Sequence, residues 1–133
     1  MTMRFATPMI EVGLVTDNMD AMLRFYRDVL GLPYLAELKY PGGSQQRFSC
    51  GDSVLKLATF DHPSKNPSPP GGPFGGVQGM RYISFPVQNL RQLVSEVRAA
   101  GYNVPTEPTE FSPDNSFAFI QDPDGNWIEL YGS

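Results

Sequence analysis

Along residues 9–15, MIEVGLV, apolar side chains recur at every second position, as a half-buried strand requires. The period then changes. Met19, Met22, Leu23 and Tyr26 fall on one face of a helix that Asp17 or Asn18 can cap and Gly31 can end. The same switch recurs over residues 80–102. Tyr82–Val87 reads as a strand, Asn89 can cap, and Leu90, Leu93, Val94 and Val97 repeat the helical spacing before Gly101. Each of these four follows its counterpart by 71 positions, so the chain carries an internal repeat. Behind each helix the pattern returns to short strands. The first set is Tyr34–Lys39, Gln46–Cys50 and Val54–Phe60; the second is Tyr102–Thr106, Ser116–Gln121 and Trp127–Tyr131. Turns at Pro41-Gly42-Gly43, Gly51-Asp52 and Asp122-Pro123-Asp124-Gly125 separate them. Pro86 has no amide donor, so its strand is expected to end or bulge there. The expected architecture is α+β: two βαβββ modules, about residues 8–60 and 80–131, within a single domain of residues 1–133. The Pro- and Gly-rich stretch 61–79 is the expected linker, and could double as a lid.

Alternation also assigns faces, because apolar residues directed at a covering helix leave their neighbours on the other side of the sheet. Ile10, Val12 and Leu14 leave Glu11, Gly13 and Val15 opposite; Leu55 and Leu57 leave Lys56. Ile83 and Phe85 leave Tyr82 and Ser84, and Ile128 and Leu130 leave Trp127, Glu129 and Tyr131. The helix-free face is therefore expected to carry Glu11, Lys56, Tyr82 and Glu129, a concentration of polar groups suited to a ligand cavity. Arg47 is a further candidate that would favour an acidic guest, although its strand is too short to fix its parity.

Composition narrows the function classes. A chain of 133 residues with 41% hydrophobic content can bury a core without disulfides or a structural metal. A net charge of −4 with scattered Lys and Arg gives no basic stripe for a phosphate backbone, so nucleic acid is not an expected partner. No apolar run is long enough to span a bilayer, and no cleavage site follows the short apolar run near the N-terminus, so a cytoplasmic protein without a membrane partner is expected. The single cysteine, Cys50, leaves no internal disulfide or Cys-based zinc cluster and reads as a small buried residue. His62, the only histidine, lies in the linker and reads as a surface residue.

Three segments carry a family resemblance: FYRDVLGL at 25–32, VRAAGYNV at 97–104 and DPDGNWIEL at 122–130. Together they resemble the vicinal oxygen chelate (glyoxalase/bleomycin resistance protein/dioxygenase) superfamily over about residues 8–131. The resemblance implies that the modules form a U-shaped mixed-sheet cradle around a small-molecule site, with a homodimer supplying further wall. In metal-using members one ligand comes from the first and last strand of each module. The matching positions here are Glu11, Lys56, Tyr82 and Glu129, the same four that alternation places on the helix-free face.

Chemistry at those positions departs from the metal-using pattern. A protonated lysine offers no lone pair to a cation, and tyrosine is a weak neutral ligand. Only Glu11 and Glu129 remain as good oxygen donors, so no metal or other cofactor is expected. One reading is a binding cradle: Trp127, Tyr82 and Tyr131 stack on an aromatic or antibiotic-like guest while Glu11, Lys56, Glu129, Ser84 and Arg47 orient its polar end. A second is a metal-independent lyase, isomerase or cyclase, with Glu11 or Glu129 abstracting a proton and Lys56 or Tyr82 stabilising the oxyanion. A metal-dependent glyoxalase or dioxygenase would need a further donor such as Glu37 or His62 brought in by a shifted register.

Overall fold

The computed structural model describes residues 2–62, 66 and 69–133; positions 63–65 and 67–68 of the expected linker lie outside the described residues. The chain divides into two compact units between residues 65 and 66. Both have the same strand plan. In the first unit the strands are β1 (Glu11–Val15), β2 (Tyr34–Tyr40), β3 (Gly43–Cys50) and β4 (Ser53–Phe60). They lie in the order β1-β4-β3-β2, with β1 parallel to β4 and the other neighbours antiparallel. In the second unit β5 (Tyr82–Val87), β6 (Thr106–Ser112), β7 (Asn115–Gln121) and β8 (Trp127–Gly132) repeat this as β5-β8-β7-β6. The parallel pair is β5 with β8. Two four-stranded mixed sheets, each with one helical segment, make this an α+β protein with the repeat that the spacing predicts.

Each helix covers one face of its own sheet. In the first unit α1 (Met19–Leu23) buries Met22, and the segment after it buries Phe25 and Tyr26; Phe48, Leu55 and Leu57 supply the sheet's share of the core. In the second, α2 (Leu90–Ala99) places Leu90, Val94 and Val97 over Ala118, Ile120, Ile128 and Leu130. Val12 and Leu14 point the same way as Leu55 and Leu57, with which they pair. Ile10 does not, lying ahead of β1 and 62% exposed.

The structure differs from expectation in four further places. The first helix is not regular to Gly31: after Leu23 it widens into a π-helical segment, Arg24–Val29, in which the Leu30 amide donates to the Phe25 carbonyl five residues back. Phe25, three residues after Met22, is in the core, whereas Glu96, 71 positions later on α2, stays exposed. Neither Asn18 nor Asn89 caps through its side chain; instead Thr16 Oγ1 accepts the Asn18 amide at 2.9 Å. The strand expected at Tyr102–Thr106 forms instead at Thr106–Ser112: the Tyr102 amide is still tied to the helix end through Val97, and Pro105 has no amide to donate to a ladder. Pro86 neither ends nor bulges its strand. β5 is an edge strand, where a missing donor leaves no partner unsatisfied.

The glycines on the first sheet separate two kinds of position. A Cβ at Gly43 would stand 2.4 Å from the Thr59 carbonyl oxygen, while one at Gly13 would meet nothing within 4 Å. Gly43→Ala is therefore expected to destabilise the protein by about 1–3 kcal/mol through forced backbone displacement. Gly13→Ala is expected to be neutral or stabilising by up to about 1 kcal/mol, from the smaller entropy loss on folding. Urea unfolding of both variants measures the contrast.

Candidate functional site

On the helix-free face of the first sheet, register brings three charged side chains together. Arg47 on β3 stands directly opposite Lys56 on β4, and Lys56 opposite Gly13 on β1. Two cations face to face across a ladder repel unless an anion lies between them. Glu11 supplies it: one carboxylate oxygen accepts from the Arg47 guanidinium, and the other lies 3.7 Å from Lys56 Nζ. Arg47 also donates to Gln45 Oε1 at 3.0 Å. The Arg47 guanidinium beside Glu11 holds its carboxyl below the ordinary value of 4.5, partial desolvation opposes this, and the nearby Lys56 charge adds to the lowering. Arg47, whose parity its short strand left open, thus lies on the same face as Glu11 and Lys56.

Other first-unit candidates fall elsewhere. Glu37 pairs in register with Gln46 and so with Leu57, which puts it on the helix side; it accepts from Gln46 Nε2 at 2.8 Å and lies 3.6 Å from Lys39. That position removes it from any shifted-register donor set on the helix-free face. His62 is exposed beyond the end of β4. Cys50 is half-buried, and burial pushes its thiol up, away from the reactive thiolate.

The helix-free face of the second sheet has a different chemistry. Asp122, 4% exposed, builds the turn that starts β8: Oδ1 accepts the amides of Asp124 and Asn126, and Oδ2 accepts Asn126 Nδ2. Gly125 takes the positive φ of 85° that the turn demands. The DPDGN motif is therefore a structural clamp that fixes the register of β8, placing Trp127, Glu129 and Tyr131 in line on one face, opposite Tyr82, Ser84 and Pro86 of β5. Ser84 Oγ donates to Glu129 Oε1 at 2.7 Å. On the other flank of β8, Phe119 pairs with Glu129 and Phe117 with Tyr131.

Aromatic rings dominate this face. Phe119 meets Tyr82, Trp127, Phe117 and Phe74 with ring centroids 5.2–6.3 Å apart, mostly edge to face. Phe74 belongs to the stretch expected as linker, and the described part of that stretch from residue 69 on is part of the second unit. The backbone at Gly71 and Gly72 lies against the Trp127 ring so closely that a Cβ on Gly72 would stand 2.6 Å from it. Trp127 is thus covered by its own chain, while Tyr82 and Tyr131 stay open. On this sheet a pocket of about 300 Å³ is lined by Phe111, Phe117, Glu129 and Tyr131. Sequence reasoning found Glu129 and Tyr131 but not the phenylalanines. SFAFIQ is apolar at successive positions, so its parity was invisible without the β7–β8 register.

The Glu11 carboxyl, lowered in the folded state, contributes stability that is fully present above its ordinary value of 4.5 and is lost as pH falls through the lowered folded value. Glu11→Gln leaves Arg47 and Lys56 face to face without their anion. The variant is expected to unfold at lower urea than the parent at pH 7, and the gap should narrow at pH 3. Urea midpoints at the two pH values measure it.

Comparison with known proteins identifies the fold and the family. A Synechocystis sp. protein described as a probable lactoylglutathione lyase is 29% identical over 129 residues, spanning 92% of this chain and 89% of its own. Among solved structures, a glyoxalase family protein from Bacillus cereus superposes with a TM-score of 0.81 at 17% identity, covering 98% of this chain and 97% of its own. TnmS3, an antibiotic binding protein from Streptomyces sp. CB03234, superposes with a TM-score of 0.71 at 19% identity, covering 96% and 97%. These two show a shared fold. The model of the Glyoxalase/Bleomycin resistance protein/Dioxygenase superfamily matches residues 9–130, nearly the whole repeat, and the chain belongs to that superfamily.

Proposed function

We propose that this chain binds an aromatic small molecule carrying a hydrogen-bond donor, in the pocket on the second sheet, without help from a divalent metal. The observation that carries the reading is the lining of that pocket: the aromatic rings of Phe111, Phe117 and Tyr131 and a single carboxylate, Glu129. Rings supply stacking area, and Glu129, already accepting from Ser84 through Oε1, retains acceptor capacity for a phenol or amine. TnmS3, which shares the fold, is described as an antibiotic binding protein.

The donor set speaks against a resident divalent ion. Glu11, at the position of one family ligand, lies between the Arg47 and Lys56 cations, which would repel a metal. Among the described residues no three His, Cys, Asp or Glu side chains gather within ligating reach of one point. An acid–base enzyme is the second reading, favoured by the relative described as a probable lactoylglutathione lyase. Glu11 serves it poorly as a base, since a carboxylate with a lowered pKa, held by two cations, has little pull on a substrate proton.

Isothermal titration with 2-naphthol and with its methyl ether tests the binding reading. Naphthol should bind more tightly than the ether, and dialysis against EDTA should change neither. Glu129→Leu should weaken naphthol about tenfold, the size of a lost hydrogen bond to a charged group, and move the ether little. Phe117→Ala should weaken both. Equal binding of the two probes, untouched by Glu129→Leu, would rule out Glu129 as the polar anchor.

A further inference from the structure

Charge is divided unevenly between the two units. Residues 66–133 hold three arginines, no lysine and seven acidic residues, so the whole of the chain's net charge of −4 belongs to the second unit. None of these arginines serves Glu129. Arg81 donates through Nη1 to the Pro70 carbonyl at 2.7 Å, Arg98 pairs with Glu107, and Arg91 is exposed on α2, which covers the other face of the sheet. Among the described residues no lysine or arginine forms an ion pair with Glu129, and its hydrogen-bond partner is the neutral Ser84 hydroxyl. Glu129 is half-buried nonetheless. Its position is the reverse of that of Glu11, whose charge two cations offset.

The rings beside this carboxylate favour the same sign of guest. Phe111 and Phe117 stand with ring centroids 6.2 Å apart, Tyr131 is opposite Phe117 in register, and together with Glu129 they line the pocket of about 300 Å³. The face of an aromatic ring carries negative potential, which attracts a cation, most strongly where water is partly excluded. A neutral phenol would use the rings as apolar area alone. It would also leave the Glu129 charge uncompensated in a partly desolvated site, whereas a cation returns the lost hydration as a charge-assisted hydrogen bond.

We infer that the guest of this pocket is a cation, an aryl-alkyl ammonium whose charged nitrogen donates to Glu129 and lies against the rings of Phe111, Phe117 and Tyr131. The inference rests on the reading of the pocket as a binding site and narrows its guest from any aromatic donor to a positively charged one. Ser84 has a part in this. By donating to Oε1 it leaves Oε2 as the acceptor for the ammonium and holds the carboxylate toward one geometry. A pocket of this volume is at the small end of ligand sites, so it suits one fused ring system with a short charged arm.

Isothermal titration of the full chain at pH 7 with 2-naphthylmethylammonium and with its neutral counterpart 2-naphthalenemethanol tests the inference. The ammonium is expected to bind at least about tenfold more tightly than the alcohol, the size of one charge-assisted hydrogen bond. Glu129→Gln, which keeps the shape and removes the charge, should bring the two within about twofold of each other. Glu110→Gln removes an exposed carboxylate whose partner Ser116 lies on the other face, and should leave the preference as it was. Phe117→Leu, which keeps apolar volume without a ring, should weaken the ammonium about threefold or more and the alcohol less. Equal affinity for the two probes, with both lost in Phe117→Ala, would overturn the cation and leave the pocket's binding role standing. A preference that survives Glu129→Gln, or falls as far in Glu110→Gln, would overturn Glu129 as the counter-charge. Binding of neither probe would overturn the inference and the pocket reading together.

Discussion

Parallel pairing of the first and last strands of each unit governs everything described above. β1 on β4 and β5 on β8 each need a crossover, and each crossover carries the helical segment that covers one face. Once the helix has claimed that face, the side-chain period of two decides the rest: Leu55 and Leu57 go inward and Lys56 outward, Ile128 and Leu130 inward and Glu129 outward. A slip of one residue in either pairing would bury the charges and expose the core. The clamp formed by Asp122 at the head of β8 therefore protects the second unit's helix-free face as well as its turn.

The repeat leaves two faces of unlike character. On the first sheet, charge dominates, with two cations sharing the Glu11 carboxylate beside small and aliphatic neighbours. On the second, rings dominate, with Tyr82 and Phe117 packed edge to face on Phe119, Trp127 tilted against it, and Glu129 as the carboxylate that lines the pocket. Divergence of this kind is open to a duplicated scaffold, because helix-free positions carry little of the core and can change chemistry without changing the fold.

Much of this was legible in the sequence, and the reason is periodicity. Val12 with Leu14, Leu55 with Leu57, and Ile128 with Leu130 alternate with polar residues, so their faces could be read without coordinates. The constant spacing of the helix residues exposed the repeat. What escaped notice lacked such contrast. Phe117, Ala118, Phe119 and Ile120 are all apolar, so only pairing with β8 shows that the two phenylalanines face the pocket side. Arg47 needed the β3–β4 register to fix its direction. The π-helical turn at Arg24–Val29 is a change of hydrogen-bond step from four to five residues that no apolar spacing announces. Phe74 and the Gly71-Gly72 cover over Trp127 come from a stretch whose composition says only that it is irregular.

The central claim is that the site works through rings and fixed charges, with no divalent ion. Native mass spectrometry of protein purified without chelator tests it most directly, since one spectrum reports metal and bound organic molecules together. The account predicts chains free of stoichiometric metal, with any adduct organic and aromatic. One divalent ion per chain, lost in Glu11→Gln, would contradict it, because Glu11 would then be a metal ligand rather than the partner of Arg47 and Lys56.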